Sequence, residues 1–343
     1  MNNVIYRHLN RRQFAALGGL SALFLFCAAL AAWPADTEHV RLEPHFSPGQ
    51  VLRYQIDMHN VTKGRTTSPV EDPEAASQLA QTTTVIVRLD VLRADASAPG
   101  DSRKIGIRAT YERSNVTNES DAYDEQAEAL AEQYRKLEGQ SLEFTIDADG
   151  RVSNLTGLDK VMQDPSAIAS VRSWMSNLSR GAGFPKKGIA IGEKWHYEEP
   201  LPGAPLRGTV WRTESTYVRN EPCRAAEGAA AESTPASRAG APNSEMCAII
   251  LTQFKILQSN PKGDLTPPDY IQNGLRTSGS WIGSGDSLNS ISLRTGLIVS
   301  VTQTSDQQMN FTISSNSSPS KLNYTGEVKS QSQITLLPET PAH

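Results

Sequence analysis

Val85-Ile86-Val87-Arg88-Leu89-Asp90-Val91 decides the fold. Val85, Val87, Leu89 and Val91 fall on every second position, with Ile86, Arg88 and Asp90 between them. Successive side chains of an extended chain point to opposite faces, so period two with one apolar set marks a strand that buries one side. Antiparallel sheets tolerate one wet face, whereas parallel strands read as continuous apolar runs. Ile105, Ile107, Ala109 and Tyr111 repeat the pattern, as do Leu142, Phe144 and Ile146. The last run meets Asp147-Ala148-Asp149-Gly150 and then Val152, a hairpin signal because glycine accepts the positive φ of tight turns.

Downstream, Val210-Trp211, Cys247 to Leu257, Leu288 to Leu293, Leu297 to Val301 and Phe311 to Ile313 read as strands, with a turn at Thr295-Gly296. The chain closes with a strand region from Leu322 to Leu336. Ser, Thr, Asn and Gln crowd these last strands, so one of their faces is expected to be wet. The expected architecture is mainly β: about a dozen antiparallel strands in a large curved sheet, an open barrel or a two-sheet arrangement, with two covering α-helices.

The first helix is expected over 121–138, capped by Ser120 and stopped by Gly139, with Tyr123, Ala127, Leu130, Tyr134 and Leu137 as its apolar stripe. The second is expected over 165–180, opened by Asp164-Pro165 and carrying Ile168, Val171, Met175 and Leu178. Residues 62–81 and 258–275 are polar without periodicity and read as long loops, and 221–246 reads as a disordered insertion rich in Ala, Ser, Pro and Gly. Two hairpins, at 141–156 and 291–304, echo each other and suggest halves over 36–183 and 184–338.

Residues 1–35 read as a signal peptide. Arg7, Arg11 and Arg12 precede an uncharged stretch from Phe14 to Trp33, and Ala29 and Ala31 sit as in a small-residue cleavage site. Asn10-Arg11-Arg12-Gln13-Phe14 also resembles a twin-arginine export signal. Cleavage implies a periplasmic or secreted protein with no stable membrane span. Retention would leave an inner-membrane anchor through residues 14–33, just long enough to cross. Those three arginines carry the only formal charges of residues 1–35, so the remainder holds 30 of the 33 basic residues and all 37 acidic ones, a net of −7. An acidic chain without a basic run is a poor nucleic-acid binder, because phosphate contacts need clustered Lys and Arg. Beyond Cys27 the chain has two cysteines, Cys223 and Cys247, and a pair in an oxidising compartment reads as one disulfide at the base of the insertion.

No catalytic, cofactor or metal motif emerges. Gly285-Asp286-Ser287-Leu288 spells the GDSL hydrolase tetrapeptide, but the only histidine after it, His343, has no Asp three positions before it, and the segment reads as a turn between strands. His39, His45, His59, His196 and His343 lack the short spacing of zinc ligands. Asp121, Asp124, Glu125 and Glu128 suit the start of a helix through its dipole, and Asp147, Asp149 and Gly150 suit a hairpin better than a calcium loop.

The stretch Phe184-Pro185-Lys186-Lys187-Gly188-Ile189-Ala190-Ile191-Gly192-Glu193-Lys194-Trp195, with Gly49 to Tyr54 and Asp149 to Val152, resembles an uncharacterised family of secreted bacterial β-rich proteins. The resemblance implies an exported β fold and no activity. In it Gly192 permits a turn and Trp195 enters the next strand. Three functional expectations follow. The first is a non-enzymatic cell-envelope protein that binds a lipid or other apolar ligand. The second is an envelope scaffold that offers the polar strands of 300–335 to a protein partner. The third is a hydrolase assembled from His196, Asp286 and Ser287.

Overall fold

The computed structural model describes residues 39–67, 76–94, 104–121, 125–147, 152–157, 175, 183–201, 204–223, 245–258, 263–315 and 321–338. The expected signal with Arg11 and Arg12, His343, and most of 165–180 and 221–246 lie outside these residues.

Among the described residues, eleven strands form one antiparallel sheet. They are β1 (Val51–Thr67), β2 (Ala76–Ala94), β3 (Ile105–Ser120), β4 (Ser141–Ile146), β5 (Val152–Thr156), β6 (Lys194–Pro200), β7 (Thr209–Pro222), β8 (Met246–Gln258), β9 (Leu275–Ser292), β10 (Ile298–Ser315) and β11 (Lys321–Leu336). Their order is β5-β4-β3-β2-β1-β11-β10-β9-β8-β7-β6. Every ladder joins strands consecutive in sequence except one seam, where β1 meets β11 from Tyr54↔Leu336 to Thr67↔Asn323, and the consecutive strands β5 and β6 do not pair. The strands of 36–183 lie on one side of this seam and those of 184–338 on the other. The sheet is open, with β5 and β6 as its edges. Residues 38–343 form one compact unit, so the two runs of strands share a single sheet.

The strands are long: β2 has 19 residues and β9 and β10 have 18 each. At about 3.3 Å per residue they run for about 60 Å. Much of this length was expected to be loop. β1 extends to Thr67 and β2 begins at Ala76, through the polar residues 62–67 and 76–81. The Gly285-Asp286-Ser287-Leu288 tetrapeptide lies inside β9 and is not a turn. Polar side chains do not break a strand whose backbone groups are paired on both sides, as those of β1, β9 and β10 are. Within 258–275, Pro268–Gln272 forms a short helix, α2, with Pro268 supplying a fixed φ at its first turn.

Alternation places the core on one face. Leu52, Tyr54 and Ile56 of β1, Val85 to Val91 of β2 and Ile105 to Tyr111 of β3 pack with Leu142, Phe144 and Ile146 of β4. The first expected helix forms as α1 (Glu125–Leu137), with residues 122–124 of the expected span outside the described residues. It lies along β3, where the Asn118 side-chain amide donates to the Ala127 carbonyl at 3.0 Å and the Ser114 amide donates to the Glu138 carboxylate at 3.0 Å. Leu137 is fully buried, and Tyr134 packs against the same core. Ser120, the expected cap, is instead the last residue of β3, paired with Leu79, and Asp121 accepts a hydrogen bond from the Gln78 amide at 2.9 Å that ties this end of β3 to β2. Met175 is buried in this core too and is the one described residue of the expected second helix. A second cluster on the same face joins Leu42, Ile189, Tyr217, Ala248, Ile250 and Ile291.

Candidate functional site

Register makes the core face readable as rows, because residues directly opposite one another share a face. The lowest row that crosses eight strands runs Tyr217, Ile250, Asn289, Val301, Ile334, Ile56, Val85 and Ser114 across β7, β8, β9, β10, β11, β1, β2 and β3. It is largely buried and mostly apolar. Two residues further along each strand the chemistry changes to Ser215, Thr252, Ser287, Gln303, Ser332, Met58, Thr83 and Val116. The next row is again hydroxyl- and amide-rich, with Thr213, Ser305, Ser330, Asn60, Gln81 and Asn118 around Phe254 and Gly285.

Above this polar belt the inner face becomes apolar and aromatic once more. Trp211, Ile256 and Val328 come next, followed by Trp281 and Met309, and then Phe311 stacked on Tyr324 with ring centroids 5.1 Å apart. Trp281 donates from Nε1 to Gln307 at 3.2 Å. Apart from the buried Ile256 these residues are half-exposed, whereas the lowest row is buried except for the half-buried Ile334. The opposite face carries the charge. Arg53–Glu112, Arg88–Asp90, Arg108–Glu143, Arg212–Glu198, Lys194–Glu214 and Lys329–Asp306 are all ion pairs there.

The belt satisfies much of its own polarity. The Asn289 side-chain amide donates toward the Ile250 carbonyl, the Ser287 hydroxyl and the Thr252 hydroxyl at 3.2–3.4 Å, and Thr252 and Ser215 share a bond of 2.9 Å. Asn289 is fully buried, and its Oδ1 finds no partner among the described residues.

Where the belt meets edge strand β6, a cavity of about 180 Å³ opens. Its walls are aromatic. Phe184 and Trp195 have ring centroids 5.6 Å apart, and Trp211 and Phe254 meet edge to face at 4.7 Å. Ser215, Thr252, Ser287 and Gln303 form its polar side, and one carboxylate, Glu199, lines it. Burial raises the Glu199 pKa above the ordinary carboxylate range, against a smaller opposing hydrogen bond from Tyr197. A wider depression of about 730 Å³ lies at the strand tips and holds Lys63, Asp121 and Glu327 among solvated residues. Its exposure makes it the lesser candidate.

The stretch from Phe184 to Tyr197 builds this wall. Gly192 holds φ +86°, which turns the chain into β6, and Trp195 enters that strand as expected. Glu193 accepts from Lys187 at 2.6 Å and from the Ala190 amide at 3.1 Å, and these bonds hold its carboxyl below the usual range. Ile189 bridges to Val40, so the wall is tied to the segment before β1. Sequence reasoning missed Glu199, although period two in Lys194–Pro200 puts it on the side of Trp195 and Tyr197 and away from Lys194, His196 and Glu198.

The three residues of the expected hydrolase site do not come together. His196 and Asp286 lie on the charged face, and β7 and β8 separate their strands. Ser287 points to the other face and is buried. His39 sits 3.7 Å from Glu193, and His59 is 3.1 Å from the Thr82 hydroxyl. No group of His, Cys, Asp or Glu among the described residues could hold a metal ion. The polar strands 298–315 and 321–336 are interior to the sheet, so they offer a partner no free edge. Cys223 and Cys247 form the expected disulfide, with Cα atoms 5.0 Å apart.

No protein-family model and no characterised protein matches the chain in sequence. Among solved structures, the chain is similar to lipovitellin, studied for its lipid–protein interactions, at 13% identity and a TM-score of 0.40. That similarity covers 87% of this chain but only 26% of the lipovitellin chain. OpdQ of Pseudomonas aeruginosa aligns over 83% of this chain and 99% of its own at 8% identity and a TM-score of 0.21. Neither similarity is close enough to carry an argument.

Proposed function

We propose that the inner face of this sheet binds an amphipathic ligand of the lipid class in a protein exported to the cell envelope or beyond. One observation carries the reading. Above a largely buried base, the inner face presents Trp211, Phe254, Trp281, Met309, Phe311 and Tyr324 around a belt of hydroxyls and amides, and the ion pairs are kept on the other face. Such a face can take an acyl chain on its aromatic part and hydrogen-bond a polar group at its belt.

Export is supported by the Cys223–Cys247 disulfide, a bond that persists in oxidising compartments. No helix among the described residues is long and apolar enough to cross a membrane. Edge strand β6 carries Lys194, Glu198 and Pro200, residues that discourage strand addition, which favours ligand binding over a strand-pairing scaffold.

Titration of the full chain with a fluorescent fatty-acid probe tests the reading. Saturable binding is expected, weakened about tenfold in Phe254→Ala, where one buried aromatic wall is lost. A flat titration contradicts the proposal.

A further inference from the structure

We propose that the cavity at β6 is a head-group subsite for a substituted ammonium ion, held between the aromatic faces of Trp195 and Trp211 and the carboxylate of Glu199. This assignment rests on the amphipathic-ligand reading above and names the chemistry of the polar end.

Size, charge and surface argue for it. At about 180 Å³ the cavity is smaller than the roughly 300 Å³ from which pockets for whole drug-sized ligands begin, so it fits a head group and not a complete lipid. Its lining among the described residues includes aromatic side chains on three strands, β6, β7 and β8, and on the segment before β6, and no Lys or Arg. Aromatic faces are the negative side of the ring quadrupole and attract cations, most strongly where water is excluded. An anionic head group would find no cationic side chain among the lining residues and would be repelled by Glu199 and by the ring faces, with only hydroxyls and the Gln303 amide to receive it.

Glu199 supplies the second half of the argument. Its neighbours on the charged face have basic partners: Glu198 pairs with Arg212 and Glu214 with Lys194. No charged group contributes to the balance at Glu199, where burial dominates. A bound cation would offset the burial of this carboxylate. The hydroxyls of Ser215, Thr252 and Ser287 are engaged with one another or with Asn289, so the charge preference of the cavity is set by its ring faces and Glu199.

The test compares three amphiphiles of equal chain length below their micelle concentrations: dodecyltrimethylammonium, dodecyl maltoside and dodecyl sulfate. Binding to the disulfide-intact full chain is read by calorimetry and tryptophan fluorescence. The cationic amphiphile should bind about tenfold more tightly than the maltoside. Glu199→Gln should abolish that preference, and Glu198→Gln, the same charge change on the opposite face, should keep it. Far-UV circular dichroism confirms that both variants fold. Equal affinities, a preference for maltoside or sulfate, or a cation preference that survives Glu199→Gln would overturn the head-group assignment and leave amphiphile binding intact. Failure of all three to bind would overturn both.

Discussion

Gly285 lies directly beneath the ring of Phe254. A β-carbon at position 285 would collide with that ring and with the Thr304 carbonyl oxygen of the adjacent strand. The glycine that opens a hydrolase-like tetrapeptide in sequence is therefore the floor on which one wall of the cavity rests.

Gly285→Ala is expected to destabilise the protein by about 2 kcal/mol, because a backbone oxygen cannot move aside as a side-chain end can. Urea denaturation should show a lower midpoint at unchanged slope. Gly192→Ala instead meets an unfavourable positive φ with no atom within 4 Å of the new carbon, so its loss should be smaller, about 1 kcal/mol.

Asn289→Asp should be far more damaging than its size suggests. The substitution removes the amide that donates to Ile250, Thr252 and Ser287 and places a carboxylate where Oδ1 already lacks a partner. A loss of about 3 kcal/mol is expected at neutral pH. The new carboxyl would be held protonated by burial, so the loss should shrink as pH falls through the carboxylate range. A loss that does not depend on pH would show that the site is wetter than described.

The Cys223–Cys247 bridge closes a 24-residue separation between the end of β7 and the start of β8. Replacing both cysteines with alanine, or reducing the bridge, should lower stability by about 3 kcal/mol. The unfolding midpoint with and without reductant measures this. The double variant should be insensitive to reductant.

Glu199 sets a pH dependence of opposite sign to that of a paired carboxylate. Its folded-state pKa is raised by burial, so the unfolded chain releases this proton first as pH rises. Its contribution is present below the unfolded-state value of about 4.3 and is lost as pH climbs through the raised folded-state value. Wild type minus Glu199→Gln should therefore lose stability across that window. A difference that grows with pH would mean that Glu199 is paired in the folded state.

The apolar halves of the strands were legible in the sequence because Val85 to Val91 and Ile105 to Tyr111 contrast one face with the other. The upper halves were not. In β10, Thr302 to Asn310 carries polar residues on both faces, so period two gives little contrast even though the ladder is complete. The β1–β11 seam joins the ends of the chain and leaves no local signature, and without register the rows of the inner face cannot be assembled. The cavity was half-legible. Its wall is the stretch from Phe184 to Trp195, and alternation alone would have placed Glu199 beside Trp195 and Tyr197.

Native mass spectrometry of the protein, isolated without strong detergent from the cells that make it, tests the central claim most directly. Binding of an amphipathic ligand on the inner face predicts an excess mass that survives gentle ionisation and is released on denaturation as a lipid-class molecule. A bare polypeptide mass, reduced only by the two hydrogens of the Cys223–Cys247 bridge and unchanged after incubation with lipid vesicles, would contradict it.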